Sequence, residues 1–192
     1  MWNLPNLITL FRIILIPVLV VMYFWPGPSR ELIVASTFIL ASVTDWLDGY
    51  LARKLNMTSR LGAFLDPVAD KLIVASALVL LVSDRTILAG VYHVVPFVIA
   101  VTIIVGREIA ISALREWMAE MGERGAVAVG NIGKFKTGMQ MVAIALLLYG
   151  LPLFGLPTLR IGEIALYIAA ALTLWSMVEY LRAAWPFLME KG

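Results

Sequence analysis

Cysteine is absent from this 192-residue chain, and histidine occurs once, at His93. The absence of cysteine excludes disulfides, a thiol nucleophile and thiolate metal ligands, and a single histidine argues against histidine-based zinc or triad chemistry. Charged residues are also scarce, at 15% of the chain, whereas soluble domains contain about 25%. The net charge of +2 is too small to indicate a nucleic-acid partner. What remains is an apolar chain whose few charged residues need an explanation.

Apolar residues dominate the composition, at 61% of the chain with a mean hydropathy of +0.92. Six apolar stretches reach the length of about 20 residues that a bilayer-spanning helix needs. They cover residues 5–25, 31–52, 61–82, 93–114, 132–150 and 160–182. No repeat, linker or low-complexity segment divides the chain. The sequence therefore predicts an all-α integral membrane protein with six transmembrane helices, folded as a single domain over residues 1–192.

Lysine and arginine are distributed unevenly between the two ends of the predicted spans. Of the 15 basic residues, twelve fall on one side and three on the other, and such an excess marks the cytoplasmic side. The first apolar stretch has no basic region before it and no evident small-residue cleavage site, so it reads as a retained helix rather than a signal peptide. We therefore expect both termini, and any site near the basic ends, to face the cytoplasm.

Four aspartates stand out against this apolar background: Asp45, Asp48, Asp66 and Asp70. A carboxylate at bilayer depth costs roughly 2.5 kcal/mol or more on insertion scales, so it normally serves a function. Helical spacing places the first pair on one face of the second predicted span, and the second pair on one stripe of the third. An all-oxygen ligand set suits Mg²⁺, Mn²⁺ or Ca²⁺, and carboxylates paired across two helices are typical of a two-metal site that acts at phosphorus. The alternative is that these side chains cap helices or lie in solvent near the interface.

Small residues and one arginine accompany the aspartates. Gly49 and Ala52 share the face of Asp45, and Gly62 precedes the third aspartate by one turn. These small side chains leave room for a bulky ligand to approach. Arg53 is placed on the same face of the second span, where its planar guanidinium suits bidentate contact with a phosphate.

Polar residues also recur in the first predicted span, where Asn6, Thr9 and Arg12 are spaced three residues apart. This spacing places them on one side of the helix. There they could reach a nucleotide or close the site from above. Alternatively, Asn6 hydrogen-bonds between helices and Arg12 extends its charge to the interface. The sequence leaves both interpretations open.

A second charged cluster lies further along the chain, with Arg107 and Arg115 in the fourth predicted span and Lys134 and Lys136 at the start of the fifth. The two arginines are about two turns apart and therefore lie close to one helical face. Four cations near four aspartates suggest a pocket for an acceptor that already carries phosphate, which a neutral acceptor such as serine does not require. The alternative is flanking positive charge that contacts lipid head groups.

The run from Asp45 to Asp70 follows the pattern Asp-x2-Asp-Gly-x2-Ala-Arg-x8-Gly-x3-Asp-x3-Asp without a departure. This pattern resembles the signature of the CDP-alcohol phosphatidyltransferase family. The resemblance implies a six-helix membrane enzyme, usually a homodimer, that transfers a phosphatidyl group from a CDP-linked lipid to an alcohol and releases CMP. It also implies a pair of divalent ions, Mg²⁺ or Mn²⁺, bound by the four aspartates. Asp70 would be the general base, alone or sharing the proton with Asp66.

The resemblance further implies a binding site for the CDP-linked lipid, CDP-diacylglycerol. Candidate residues for this site are Asp48, Gly49, Ala52, Arg53 and Gly62, to which the first span adds Asn6 and Thr9.

Four further segments, at residues 4–12, 107–118, 133–137 and 172–177, resemble family members whose acceptor is sn-glycerol 3-phosphate. This implies a bacterial inner-membrane enzyme that makes phosphatidylglycerol phosphate. The residues that would bind glycerol 3-phosphate are Arg107, Arg115, Lys134 and Lys136. One alternative is the same chemistry with serine or inositol phosphate as acceptor. A more remote one is a metal or ion transporter, which the gathering of the carboxylates at one end disfavours.

Overall fold

The computed structural model describes residues 4–55, 60–122 and 131–189. Within these ranges the description leaves out the side chains at positions 4, 5, 46, 48–53, 55, 60, 61, 63, 131–135 and 188. The described residues form α-helices joined by short connections, and the β-structure among them is one isolated bridge between Leu153 and Leu156. The prediction of an all-α protein is therefore confirmed for this part. Its helices are α1 (Leu4–Tyr23), α2 (Arg30–Leu55), α3 (Arg60–Ser83), α4 (Arg85–Gly90), α5 (Val94–Glu120), α6 (Asn131–Tyr149) and α7 (Thr158–Met189).

The six long helices coincide one for one with the predicted spans, although α2, α5 and α7 continue several residues past the predicted ends. Three described segments are long and apolar enough to cross a membrane: Asn6–Tyr23, Val94–Glu120 and Thr158–Phe187. A shorter apolar segment covers Lys136–Tyr149. Apolar helices of this length indicate a multi-pass membrane protein, while the full set of six spans stays a prediction.

The short helix α4 is an element that the hydropathy pattern does not predict. Asp84 caps it, because its carboxylate accepts hydrogen bonds from the backbone N–H groups of Thr86, at 2.7 Å, and Ile87, at 3.4 Å. The Tyr23 hydroxyl donates to the same carboxylate at 2.9 Å and ties the end of α1 to this turn. Burial raises the pKa of Asp84, but these hydrogen bonds outweigh it and hold the pKa below its ordinary value. A helix of six residues is too short to show a periodic pattern, so the capping aspartate is its only signal in the sequence.

The buried core lies where α1 packs against α2 and α3, and where α6 packs against α2 and α7. Large apolar side chains fill it, among them Leu19, Phe38, Leu78, Phe97 and Leu147. Other large apolar side chains face outward, such as Val21 at 64% exposure and Ile109 at 65%. Such exposure is unfavourable in water and suits the hydrocarbon of a bilayer.

The crossing of α6 and α7 depends on the missing side chain of Gly162. A Cβ atom at this position would lie 2.9 Å from Leu147 Cγ and 3.1 Å from the Leu147 backbone nitrogen. Small residues allow such close approach between membrane helices. We therefore expect Gly162→Val to destabilise the fold by about 1–3 kcal/mol, as overpacking does elsewhere. A lower midpoint of thermal unfolding in detergent would show this.

Gly106 on α5 offers a matched control, because a Cβ there would meet no described atom within 4 Å. Gly106→Ala should leave the midpoint unchanged or raise it slightly, since alanine favours the helix. If Gly162→Val instead unfolds at the same midpoint as the parent protein, the close approach of α6 and α7 is not needed for stability.

Candidate active site

Helix α1 holds the carboxylates of α2 and α3 in one place. Arg12 is fully buried, and its Nη1 lies 2.5 Å from Asp45 Oδ1. Thr9 Oγ1 donates a hydrogen bond of 2.6 Å to Asp66 Oδ1. Because Thr9 and Arg12 are three residues apart, they lie on one face of α1. That face therefore brings a carboxylate from each of two other helices to the same end of the bundle.

Asp70 joins this group from α3, one helical turn beyond Asp66. It lies within electrostatic reach of two carboxylates and two cations, which are Asp45, Glu108, Arg12 and Lys71. Three of the four aspartates singled out from the sequence thus converge. The side chain of the fourth, Asp48, lies outside the described residues.

The chemistry of these donors fits a hard divalent cation, because carboxylate oxygens are the ligands that Mg²⁺ and Mn²⁺ prefer. Among the side chains that the structure describes, no three acidic or histidine groups lie close enough together to hold an ion. Asp45 is instead neutralised by Arg12. The donor set without Asp48 is incomplete, and metal binding stays a prediction.

A cavity of about 620 Å³ opens beside Asp70, between α3, α5, α6 and α7. Arg107, Arg115 and Lys136 line it, so the structure brings together three of the four cations proposed from the sequence. The side chain of Lys134 lies outside the described residues. An aspartate and several cations around one cavity can hold a phosphate-bearing molecule next to a proton acceptor.

Arg107 is the deepest of these arginines, and only 7% of it is exposed. Its Nη2 lies 2.8 Å from Glu108 Oε1 as an ion pair. Neither Nε nor Nη2 meets hydrogen-bond geometry with any described residue. Because buried donors of this kind are costly to leave unmatched, Arg107 is suited to an anion that enters the cavity.

Arg115 is held by an aromatic side chain from the end of α7. Its Nη2 donates to the Tyr180 hydroxyl at 3.2 Å, and its Cζ lies 5.3 Å from the centroid of the Tyr180 ring. The hydrogen bond and the cation–π contact together restrict the guanidinium to the wall of the cavity. One turn earlier on α5, Ser112 Oγ accepts a hydrogen bond from Lys71 Nζ of α3.

The cavity also contains residues that were not among the candidates drawn from the sequence, including Lys71, Ser112, Gln140 and Tyr180. Lys71 carries a detectable signal, because it directly follows the last aspartate of the motif. The other three have no spacing relation to the motif, and only the packing of α5, α6 and α7 brings them to the cavity.

The residues proposed for the CDP-linked lipid are described only in part. Asn6 is 2% exposed and Thr9 is 1% exposed, and Gly62 is buried as well. Thr9 binds a carboxylate of α3, which favours the interpretation of helix-to-helix contact over direct contact with a nucleotide. The side chains of Ala52 and Arg53, and position 49, lie outside the described residues.

Known proteins that are similar to this chain identify its family. A family model described as CDP-alcohol phosphatidyltransferase matches residues 2–175. This match covers most of the chain, and the chain therefore belongs to the CDP-alcohol phosphatidyltransferase family. Tyr180 lies just beyond the matched residues.

Individual members of the family are similar to this chain over nearly its full length. The chain is 48% identical over 191 residues to a protein of Salmonella choleraesuis (strain SC-B67) named CDP-diacylglycerol–glycerol-3-phosphate 3-phosphatidyltransferase, with 99% of both chains covered. A protein of the same name from Haemophilus influenzae is 48% identical over 190 residues, which is 98% of this chain and 97% of the relative. Another from Pectobacterium atrosepticum is 49% identical over 189 residues, with 98% of both covered.

Proposed function

We propose that this protein transfers the phosphatidyl group of CDP-diacylglycerol to sn-glycerol 3-phosphate, giving phosphatidylglycerol phosphate and CMP. The observation that carries the proposal is the cavity that places Asp70 beside Arg107, Arg115 and Lys136. The printed names of the relatives, which share nearly the full length of the chain, state the same donor and acceptor.

The proposed reaction is a direct displacement at the lipid-side phosphorus. Asp70 accepts the proton of the acceptor's 1-hydroxyl as that oxygen forms its bond to phosphorus. The bond between this phosphorus and the CMP oxygen breaks, and CMP leaves with the electron pair. Asp66, one turn away on α3, can share this proton with Asp70.

The cations of the cavity hold the acceptor's own phosphate. Arg107 offers unmatched donors, Arg115 is oriented by Tyr180, and Lys136 is 3% exposed on the facing helix α6. Charge-assisted hydrogen bonds of this kind are roughly twice as strong as neutral ones, and they orient the ligand. Lys134 is proposed to add charge at the start of α6.

Metal and donor lipid occupy the aspartate end of the site in this proposal. When bound, two divalent ions held by Asp45, Asp48, Asp66 and Asp70 supply positive charge to the pyrophosphate and to the departing CMP. Arg12 and Thr9 orient Asp45 and Asp66 for this task. The proposed contacts of CDP-diacylglycerol are Asn6, Asp48, Gly49, Ala52, Arg53 and Gly62, whereas Thr9 acts through Asp66.

The membrane setting is part of the proposal. The chain forms one domain with six spans, both termini and the site face the cytoplasm of a bacterial inner membrane, and the enzyme works as a homodimer without a nucleic-acid partner. The uneven placement of lysine and arginine supports the orientation. The bacterial origin of the relatives supports the location.

A panel of acceptors tests the function. Purified protein in detergent, given CDP-diacylglycerol and Mg²⁺ or Mn²⁺, should release CMP with glycerol 3-phosphate and only at background rates with serine, inositol phosphate or glycerol. Addition of EDTA should stop the release. Preference for serine would contradict the cationic pocket. Absence of CMP release with every acceptor, together with metal flux in liposomes, would favour the transporter instead.

A further inference from the structure

One polar side chain of the cavity has no task in the reaction proposed above. Gln140 lies on α6, is 2% exposed and lines the cavity together with Asp70 and Arg107. Its carbonyl oxygen Oε1 is buried and accepts no hydrogen bond from any residue within the described ranges. A buried acceptor without a donor is costly, so its presence in a ligand cavity points to a donor carried by the ligand.

The position of Gln140 along α6 relates it to the phosphate-binding cations. It follows Lys136 by four residues, which places both on one face of the helix and separates them by about 6 Å along its axis. A small molecule held by its phosphate at Lys136 is therefore within one turn of the Gln140 amide. An acceptor with a three-carbon backbone is long enough to contact both Lys136 and Gln140.

Several polar groups of the cavity cannot accept a hydrogen bond or already have a partner, and Glu116, the other carboxylate of the lining, is exposed. The arginine and lysine side chains are donors only. Glu108 pairs with Arg107, and the Tyr180 hydroxyl already accepts from Arg115. The Gln140 amide is neutral, and its unmatched oxygen can accept a hydrogen bond from a ligand hydroxyl.

We propose that Gln140 is a specificity-determining residue that accepts a hydrogen bond from the 2-hydroxyl of the acceptor. The inference rests on the proposed function, in which the 1-hydroxyl faces Asp70 and the phosphate engages the cations. The 2-hydroxyl is then the polar group of glycerol 3-phosphate that lacks an assigned partner. The class of acceptor selected is a phosphate ester with a hydroxyl next to the reacting one.

Two acceptors and one substitution test this assignment. The value of kcat/KM is measured for glycerol 3-phosphate and for 3-hydroxypropyl phosphate, which lacks the 2-hydroxyl. The parent protein should prefer glycerol 3-phosphate by roughly tenfold or more, because a site built to bind a hydroxyl discriminates against an analogue without it. Gln140→Met, which keeps length and removes the amide, should abolish this preference by lowering kcat/KM for glycerol 3-phosphate alone.

Thr173→Val is the matched control, since Thr173 Oγ1 is also buried without a hydrogen-bond partner in the described chain but does not line the cavity. It should leave the ratio of the two kcat/KM values unchanged. If Gln140→Met does not fold, Gln140→Asn, whose shorter amide is withdrawn from the ligand, should lower the ratio in the same way.

An equal loss for both acceptors in the Gln140 variants would overturn the assignment and give the residue a packing role. A parent protein that uses both acceptors equally well would overturn it too, while leaving the transferase intact. Failure of the parent protein to release CMP with glycerol 3-phosphate would instead remove the proposed function itself.

Discussion

Asp70→Asn is expected to abolish CMP release while CDP-diacylglycerol binding is retained. Asparagine has nearly the shape of aspartate but cannot accept the proton of the attacking hydroxyl, and loss of a general base typically costs about 100-fold or more in rate. The lining of the cavity stays the same, because Asp70 contributes one side chain among many. The measurements are kcat for CMP release, and the shift in thermal unfolding midpoint that CDP-diacylglycerol produces.

Asp84→Asn is the control for this substitution. Asp84 caps α4 away from the cavity, and asparagine caps helices about as well as aspartate. The control should keep full turnover. Turnover of Asp70→Asn within a few-fold of the parent would remove Asp70 from the role of base. A larger loss in Asp66→Asn than in Asp70→Asn would assign the base to Asp66.

Arg107→Gln should raise the KM for glycerol 3-phosphate by roughly 10- to 100-fold and change the KM for CDP-diacylglycerol little. A buried guanidinium with unmatched donors is expected to make strong contacts with the acceptor's phosphate, and hydrogen bonds to charged groups are worth about 1.5–3 kcal/mol each. Arg107→Lys keeps the charge but loses the planar fork, so an intermediate effect is expected. Initial rates with each substrate varied in turn give both constants.

Arg85→Gln provides the comparison, because Arg85 is exposed on α4 and does not line the cavity. It should leave both KM values unchanged. If Arg107→Gln raises the KM for CDP-diacylglycerol and not that for glycerol 3-phosphate, the guanidinium serves the donor lipid, and the acceptor site must lie elsewhere.

The positions of the long helices could be predicted from the sequence because each one coincides with an apolar stretch of bilayer length. The convergence of Asp45, Asp66 and Asp70 could be anticipated from helical spacing together with the paired carboxylates. The role of α1 in holding these carboxylates could not be predicted. The spacing of Thr9 and Arg12 predicts a shared face, but only the packing of α1 on α2 and α3 decides which carboxylates that face meets.

The residues of the acceptor cavity could also be predicted only in part from the sequence. Arg107, Arg115 and Lys136 are visible in the sequence because charge is rare in apolar stretches. Gln140 and Tyr180 are ordinary residues at the level of composition and spacing. They become notable only because α6 and α7 pack so that one amide and one ring reach the cavity. Contacts between distant helices follow from side-chain shape, which hydropathy does not record.

The ion pair between Arg12 and Asp45 bears on how the chain enters the membrane. Arg12 lies within the first apolar helix, which emerges from the ribosome before its counter-charge on α2 has been made. An arginine at the centre of a lone helix opposes insertion by about 2.5–3.5 kcal/mol. Pairing with Asp45 offsets this penalty only once the second helix is present. The ion pair therefore favours insertion of α1 together with α2, as a hairpin whose two charges neutralise each other.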